Sequence, residues 1–235
     1  MKNILLLALF FMSSIAQASI SITGTRVIYN ESDRSVAVKI NNRGETASVV
    51  QAWIDNKLTN QTPGAGVSPF LLYPAVSKIV SGGEQYLRIK KIENIPNMET
   101  ESLFWLNVKD IPEAPKNKDI NYLQLSIISK IKLFYRPAAL KDKAGEMYKD
   151  LFWSVRSSNG KSYLSVKNNS RFYASFTEIK VTSDGKNIAL DMVAPGATAQ
   201  WQLNGATLSE INKGKAEYGM VNDFGAVVYR PITLK

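Results

Sequence analysis

Asn121-Tyr-Leu-Gln-Leu-Ser-Ile-Ile-Ser-Lys-Ile-Lys-Leu-Phe-Tyr-Arg136 is the most informative stretch of the 235-residue chain. Leu123, Leu125, Ile127, Ile131, Leu133 and Tyr135 share one parity, while Gln124, Ser126, Lys130, Lys132 and Arg136 share the other. A period of two marks a β-strand with one apolar face. The pattern runs for 13 residues from Leu123 to Tyr135. That is about 43 Å of strand at about 3.3 Å per residue, where about 5–6 residues is usual. A small sandwich cannot cover all of it. Two readings follow. Either the strand bends into one core through a bulge near Ser129, or its first half runs past the covered part of its sheet and offers an apolar row to another chain.

The chain beyond residue 19 has the same short-strand texture. Val36–Ile40, Val49–Ile54, Gln85–Ile89 and Leu103–Val108 read as strands. Between such runs lie turn clusters such as Asn41-Asn-Arg-Gly44, Ser81-Gly-Gly83, Ser158-Asn-Gly160 and Asn222-Asp-Phe-Gly225, rich in the residues that accept tight turns and positive φ. Without long amphipathic helices between the strands, the fold class is all-β, built as sandwiches or barrels. Pro137-Ala-Ala-Leu-Lys-Asp-Lys143 interrupts the pattern, and the expected domains, 19–138 and 139–235, are each the size of an immunoglobulin-like sandwich.

The N-terminus carries Lys2, an unbroken apolar run from Ile4 to Met12, and the small-residue triplet Ala16-Gln17-Ala18. The run is too short to span a bilayer, and the triplet stands at cleavage distance, so residues 1–18 read as a secretory signal peptide. Its removal leaves 217 residues with a net charge of +8 instead of +9. No second long apolar segment follows, so stable membrane insertion is not expected.

Composition narrows the chemistry further. The chain has no His and no Cys, which excludes a Ser-His-Asp triad, a Cys nucleophile and a Cys/His zinc site. Any catalysis would need carboxylates, Lys, Tyr or Ser. Lys and Arg exceed Asp and Glu by 29 to 20, yet the basic residues are scattered and the protein is expected to be exported, which argues against nucleic acid. In Ser19-Ile-Ser-Ile-Thr-Gly-Thr-Arg-Val-Ile-Tyr29, Arg26 shares a parity with Ile20, Ile22 and Ile28. A cation on an apolar face must be paired, project into a cleft or lie past the covered sheet. Were Lys132 in the same cleft, the two cations would form a carboxylate site.

Glu101-Ser-Leu-Phe-Trp-Leu-Asn-Val-Lys-Asp-Ile-Pro112 and Lys130-Ile-Lys-Leu-Phe-Tyr-Arg-Pro137, with Thr25-Arg26, Gln51-Ala-Trp53 and Asn222-Asp-Phe-Gly225, resemble the periplasmic pilus (fimbrial) assembly chaperones of the P-pilus type. The resemblance covers essentially all of residues 19–235. It implies two immunoglobulin-like sandwiches in a boomerang arrangement, and a non-enzymatic periplasmic protein, without catalytic residues, metal or cofactor, that folds pilus subunits by donor-strand complementation and hands them to an outer-membrane usher. Arg26 and Lys132 match the family's two anchors for the C-terminal carboxylate of a pilus subunit. Leu123, Leu125 and Ile127 match its donor strand, and Glu101, Arg136 and Asp223 its interdomain ionic link. The short connection from Glu113 to Asn121 resembles the family's short-loop subclass. The resemblance also admits a self-capping homo-oligomer that hides the donor strand at rest. Many relatives carry a disulfide in the second domain; this chain, lacking cysteine, must hold that domain by packing alone. The competing readings are a pilus structural protein and a secreted carbohydrate-binding sandwich using Trp53, Trp105, Trp153 and Trp201 as sugar platforms.

Overall fold

A computed structural model describes residues 19–58, 62–64, 66, 68–96, 99–114, 123–140, 143–181 and 187–234. The expected signal peptide, residues 1–18, lies outside them, as does most of the Glu113 to Asn121 connection. The first half contains β1 (Ile20–Ile22), β2 (Arg26–Asn30), β3 (Val36–Asn42), β4 (Ser48–Asp55), β5 (Phe70–Tyr73), β6 (Val76–Ile79), β7 (Glu84–Lys91), β8 (Ser102–Pro112) and β9 (Ile127–Arg136). One sheet has the order β1-β3-β7-β5 and the other β2-β9-β8-β4-β6. Alternating residues of both enclose a core containing Ile40, Leu87, Ile89, Leu106, Leu133 and Tyr135. Phe70 knits it, 5.3 Å from the Tyr29 ring and 5.1 Å edge-on from Phe104.

The first strand serves both sheets. β1 pairs with β3, β2 pairs in parallel with β9, and Gly24 makes the crossing at φ +90°, a conformation that costs glycine little. The crossing resets the alternation. Val27 and Tyr29 enter the core while Arg26 and Ile28 are only half-buried, so the expected shared face of Arg26 with Ile20 and Ile22 does not exist.

The long strand lacks the bulge of its first expected form, and its first half runs past the covered sheet as in the second. β9 begins at Ile127, with unbroken register against β8 from Asp110↔Ile127 to Ser102↔Tyr135 and no bulge at Ser129. Leu123 to Ser126 precede it outside the sheet. Continuing the register would set Leu125 opposite Pro112, which has no N–H to give and ends β8.

The second half comprises β10 (Leu151–Ser158), β11 (Lys161–Asn168), β12 (Phe176–Val181), β13 (Asn187–Ala189), β14 (Thr198–Leu203), helix α1 (Gly205–Asn212), β15 (Ala216–Val221) and β16 (Val227–Pro231). Its sheets are β10-β11-β14 and β13-β12-β15-β16. The core between them centres on Trp153, with Phe176 at 5.4 Å and Tyr218 at 5.0 Å. Trp53 and Trp153 are 7% and 3% exposed, so neither offers a face to a sugar.

Candidate functional site

Arg26 opens β2 directly beside Lys132 of β9, the two being paired residues across the parallel ladder. Paired residues on adjacent strands project from the same face, here the one turned toward the second sandwich. Arg26 is held there by two contacts and keeps one N–H idle. Its Nη1 donates to Val221 O at 3.0 Å, its guanidinium lies 5.7 Å from the Phe134 ring centroid, and its Nε is buried without a hydrogen-bond partner. Burial pulls the Arg26 pKa down, against the favourable fields of Asp223 and Glu101. Burial likewise lowers that of Lys132, and the positive charge of Arg26 lowers it again, while Asp191 acts in the opposite direction. Neither cation forms an ion pair among the described residues. Two half-buried cations side by side, one with an idle N–H, form a ready site for an anion.

Two residues further along β9 on the same face, Phe134 packs 5.9 Å from the Tyr173 ring of the second sandwich. Next on that row comes Arg136, 4% exposed. It donates to Glu101 Oε1 from Nε at 3.2 Å and Nη2 at 2.9 Å, and to Asp223 from Nη1 at 2.8 Å and Nη2 at 3.0 Å. Glu101 is itself anchored across the boundary, accepting from Tyr173 N at 2.9 Å through Oε2. Burial pushes the Glu101 carboxyl up, opposed by Arg136 and the Tyr173 N–H. Burial works against the Arg136 charge too, but its bonds to Asp223 and the field of Glu101 outweigh it and raise the pKa. Gly225 of the β15–β16 turn approaches so closely that a Cβ there would stand 2.7 Å from Thr25 Oγ1. A cavity of about 280 Å³ lies in this junction, lined by Arg26, Phe134, Arg136, Met220 and Phe224 among others.

On the opposite parity, Leu123, Leu125 and Ile127 are 83%, 63% and 55% exposed. They continue the row that Ile131, Leu133 and Tyr135 carry into the core, beyond the point where the other sheet covers it. The edge of β9 is also half free. β8 flanks it from Ile127 to Tyr135, whereas β2 flanks its other side only from Lys132 to Arg136. Among the described residues no strand pairs with that side from Ile127 to Ile131.

The Pili and flagellar-assembly chaperone, PapD N-terminal domain family matches residues 19–141, and the Pili assembly chaperone PapD, C-terminal domain family matches residues 146–230. The chain belongs to the pilus assembly chaperone family. Chaperone protein MrkB of Klebsiella pneumoniae is 34% identical across the full length of both chains. The probable fimbrial chaperone YadV of Escherichia coli is 34% identical over 92% of this chain and 90% of its own. The crystal structure of YadV superposes with a TM-score of 0.73 at 30% identity, and that of Pseudomonas aeruginosa CupB2 chaperone with 0.73 at 28%, each covering 92% of this chain and all of the other.

Sequence reading of this pilus chaperone relative missed Phe134, Tyr173 and Val221. Phe134 interrupts the polar row Lys130, Lys132, Arg136, and that interruption was the available sign that the row meets a second apolar surface. Val221 acts through its carbonyl, which leaves no trace in residue type.

Proposed function

We propose that this chain is a periplasmic chaperone that captures pilus subunits by donor-strand complementation. The observation that carries this reading is the half-free edge of β9. A guest strand laid along Leu123 to Ile131 would lie in line with β2 and end where β2 begins, at Arg26. A chain terminus stopping there brings its carboxylate to Arg26 and Lys132, the two cations that form no ion pair within the described chain. Leu123, Leu125 and Ile127 then enter the guest's incomplete core. Each such side chain contributes roughly 1.5–3 kcal/mol of transfer free energy on full burial. The carboxylate anchor fixes register, because a slip of one residue would turn the whole apolar row outward.

Glu101, Arg136 and Asp223 serve in this reading as the link that holds the second sandwich against the anchor face. Residues 1–18 direct export and are removed. Guests leave by strand exchange at an outer-membrane usher, and a second copy of the chain can cover the same row at rest as a self-capping homo-oligomer. The buried Trp53 and Trp153 speak against a sugar-binding sandwich.

The test is co-purification from periplasm with pilus subunits expressed alongside. Arg26→Ala and Lys132→Ala should each remain folded by circular dichroism and lose at least about tenfold in the amount of guest captured, as expected when a charged group loses its partner. Undiminished capture by both variants would overturn the anchor assignment.

A further inference from the structure

Asp110 is a buried acid outside the site described above. It is 7% exposed and stands on the core parity of β8 behind Phe104, Leu106 and Val108. Its carboxylate oxygens accept hydrogen bonds from Ser48 Oγ and Ser19 Oγ. No Lys or Arg among the described residues forms an ion pair with it. Two neutral hydroxyls are incomplete compensation for a carboxylate withdrawn from water.

Ser19 has a fixed seat beside this acid. Its carbonyl accepts from Arg43 N at 2.6 Å, and it packs so closely on Gly44 that a Cβ added there would stand 2.8 Å from Ser19 Cβ. Asn42 Oδ1 accepts from Gly44 N at 2.9 Å and steadies that turn. The α-nitrogen of Ser19 lies three bonds from the Oγ that already touches Asp110. Ser19 is also the residue that follows the expected cleavage triplet Ala16-Gln17-Ala18.

We propose that removal of the signal peptide supplies the cation that Asp110 lacks. Hydrolysis of the Ala18–Ser19 bond adds water across it. The hydroxyl goes to the Ala18 carbonyl, which leaves as a carboxylate, and the Ser19 nitrogen gains protons to become an α-ammonium. That ammonium pairs with Asp110 and latches β1 onto the end of β8. In the precursor the same nitrogen is a neutral amide, so the first sandwich gains this ion pair only in the processed chain. The latch sits at a meaningful place, since Asp110 is the cross-strand partner of Ile127, where the exposed apolar row leaves the sheet. The inference rests on cleavage after Ala18 and is independent of what the row binds.

The test uses the exported full chain. Intact mass should give a mature protein beginning at Ser19; a different first residue overturns the proposal. Thermal unfolding is then compared for the wild type, Asp110→Asn, a chain with one glycine inserted between Ala18 and Ser19, and the two changes combined. Each single change should lower the melting temperature, and the combination should lower it no further than the larger of the two losses, because both delete the same ion pair. An insertion without effect, or additive losses, overturns the proposal. A second readout needs no Asp110 variant. Acylation of the α-amine at neutral pH, followed by peptide mass spectrometry, should be about tenfold slower in the wild type than in the glycine-inserted chain, corresponding to one unit of pKa stabilisation. Equal rates overturn it.

Discussion

Replacing Arg136 by Met removes the centre of the interdomain cluster while keeping an unbranched apolar stem. Glu101, at 3% side-chain exposure, is then a buried carboxylate whose Oε1 has lost two donors; Oε2 keeps the Tyr173 N–H. Breaking a buried pair from one side costs about 3–5 kcal/mol, mostly as the penalty on the orphaned charge. Asp223 contributes little to that sum, because its side chain is 37% exposed and water solvates it when Arg136 is gone. For a chain of this size the loss corresponds to a fall in melting temperature of about 6–20 °C. Asp223→Ala should cost about 1 kcal/mol or less. Arg136→Met combined with Glu101→Gln should recover most of the loss, since no charge is left buried. The pH dependence follows from the sign of the Glu101 shift. Its pKa lies above the ordinary carboxylate value even beside Arg136, and removing Arg136 raises it further. A carboxyl with a raised folded pKa is destabilising while ionised and ceases to be so as pH falls through that pKa. The gap between wild type and Arg136→Met should therefore narrow from pH 7.5 to pH 5. Thermal denaturation across that range is the assay. A loss below about 1 kcal/mol, or a gap that widens in acid, would refute the account.

Leu125→Ala should weaken the capture of guests by roughly ten- to a hundredfold, the worth of one buried leucine, and Leu125→Glu should abolish it; a normal yield of complexes from Leu125→Glu would count against strand donation. Lys132 is held below the ordinary lysine value of 10.5, and a bound carboxylate would raise it, so affinity for a peptide ending in a guest's own last residues should be full at neutral pH and decline on the alkaline side as the free Lys132 deprotonates. Calorimetric titration of Arg26-intact chains with and without Lys132→Ala reads this directly, the decline being confined to the chain that retains Lys132. Trp153→Ala should destabilise the second sandwich by about 3–5 kcal/mol, because no disulfide supports the core that Trp153 organises. Urea unfolding followed by signals from that half checks it.

Much of the first sandwich is legible in its alternation. Leu133 and Tyr135 read as core and are core, with Ile131 half-buried against it; Lys132 and Arg136 read as the other face and stand on it. The expected shared face of Arg26 with Ile20 and Ile22 failed because a chain that changes sheets restarts its parity, and one glycine at positive φ accomplishes that without disturbing the hydrophobic pattern around it. The extent of the long strand was also overread. Apolar alternation continues to Leu123, but ladder pairing needs a partner with N–H groups, and β8 ends at Pro112. The site itself is formed by residues remote in sequence. Glu101 and Asp223 have nothing in their local surroundings to mark them as partners of Arg136; only the resemblance of whole motifs to a family brought them forward. Phe172, whose ring lies 5.2 Å from the Arg136 guanidinium, and Tyr173 belong to the cleft because two folded surfaces meet there.

One strand carries Ile127, Lys132 and Arg136, with Leu125 just before it, so in the proposed mode of capture the spacing between apolar plug and cationic anchor is a ruler cut into the backbone. Leu125 and Lys132 are separated by seven residues, about 23 Å of extended chain. A guest strand one residue too long between its groove and its terminus would present the wrong face to the plugs, and one two residues too long would restore the phase but displace the pockets by a full repeat. On the proposed mode of capture, this spacing would select guests by length as well as by chemistry.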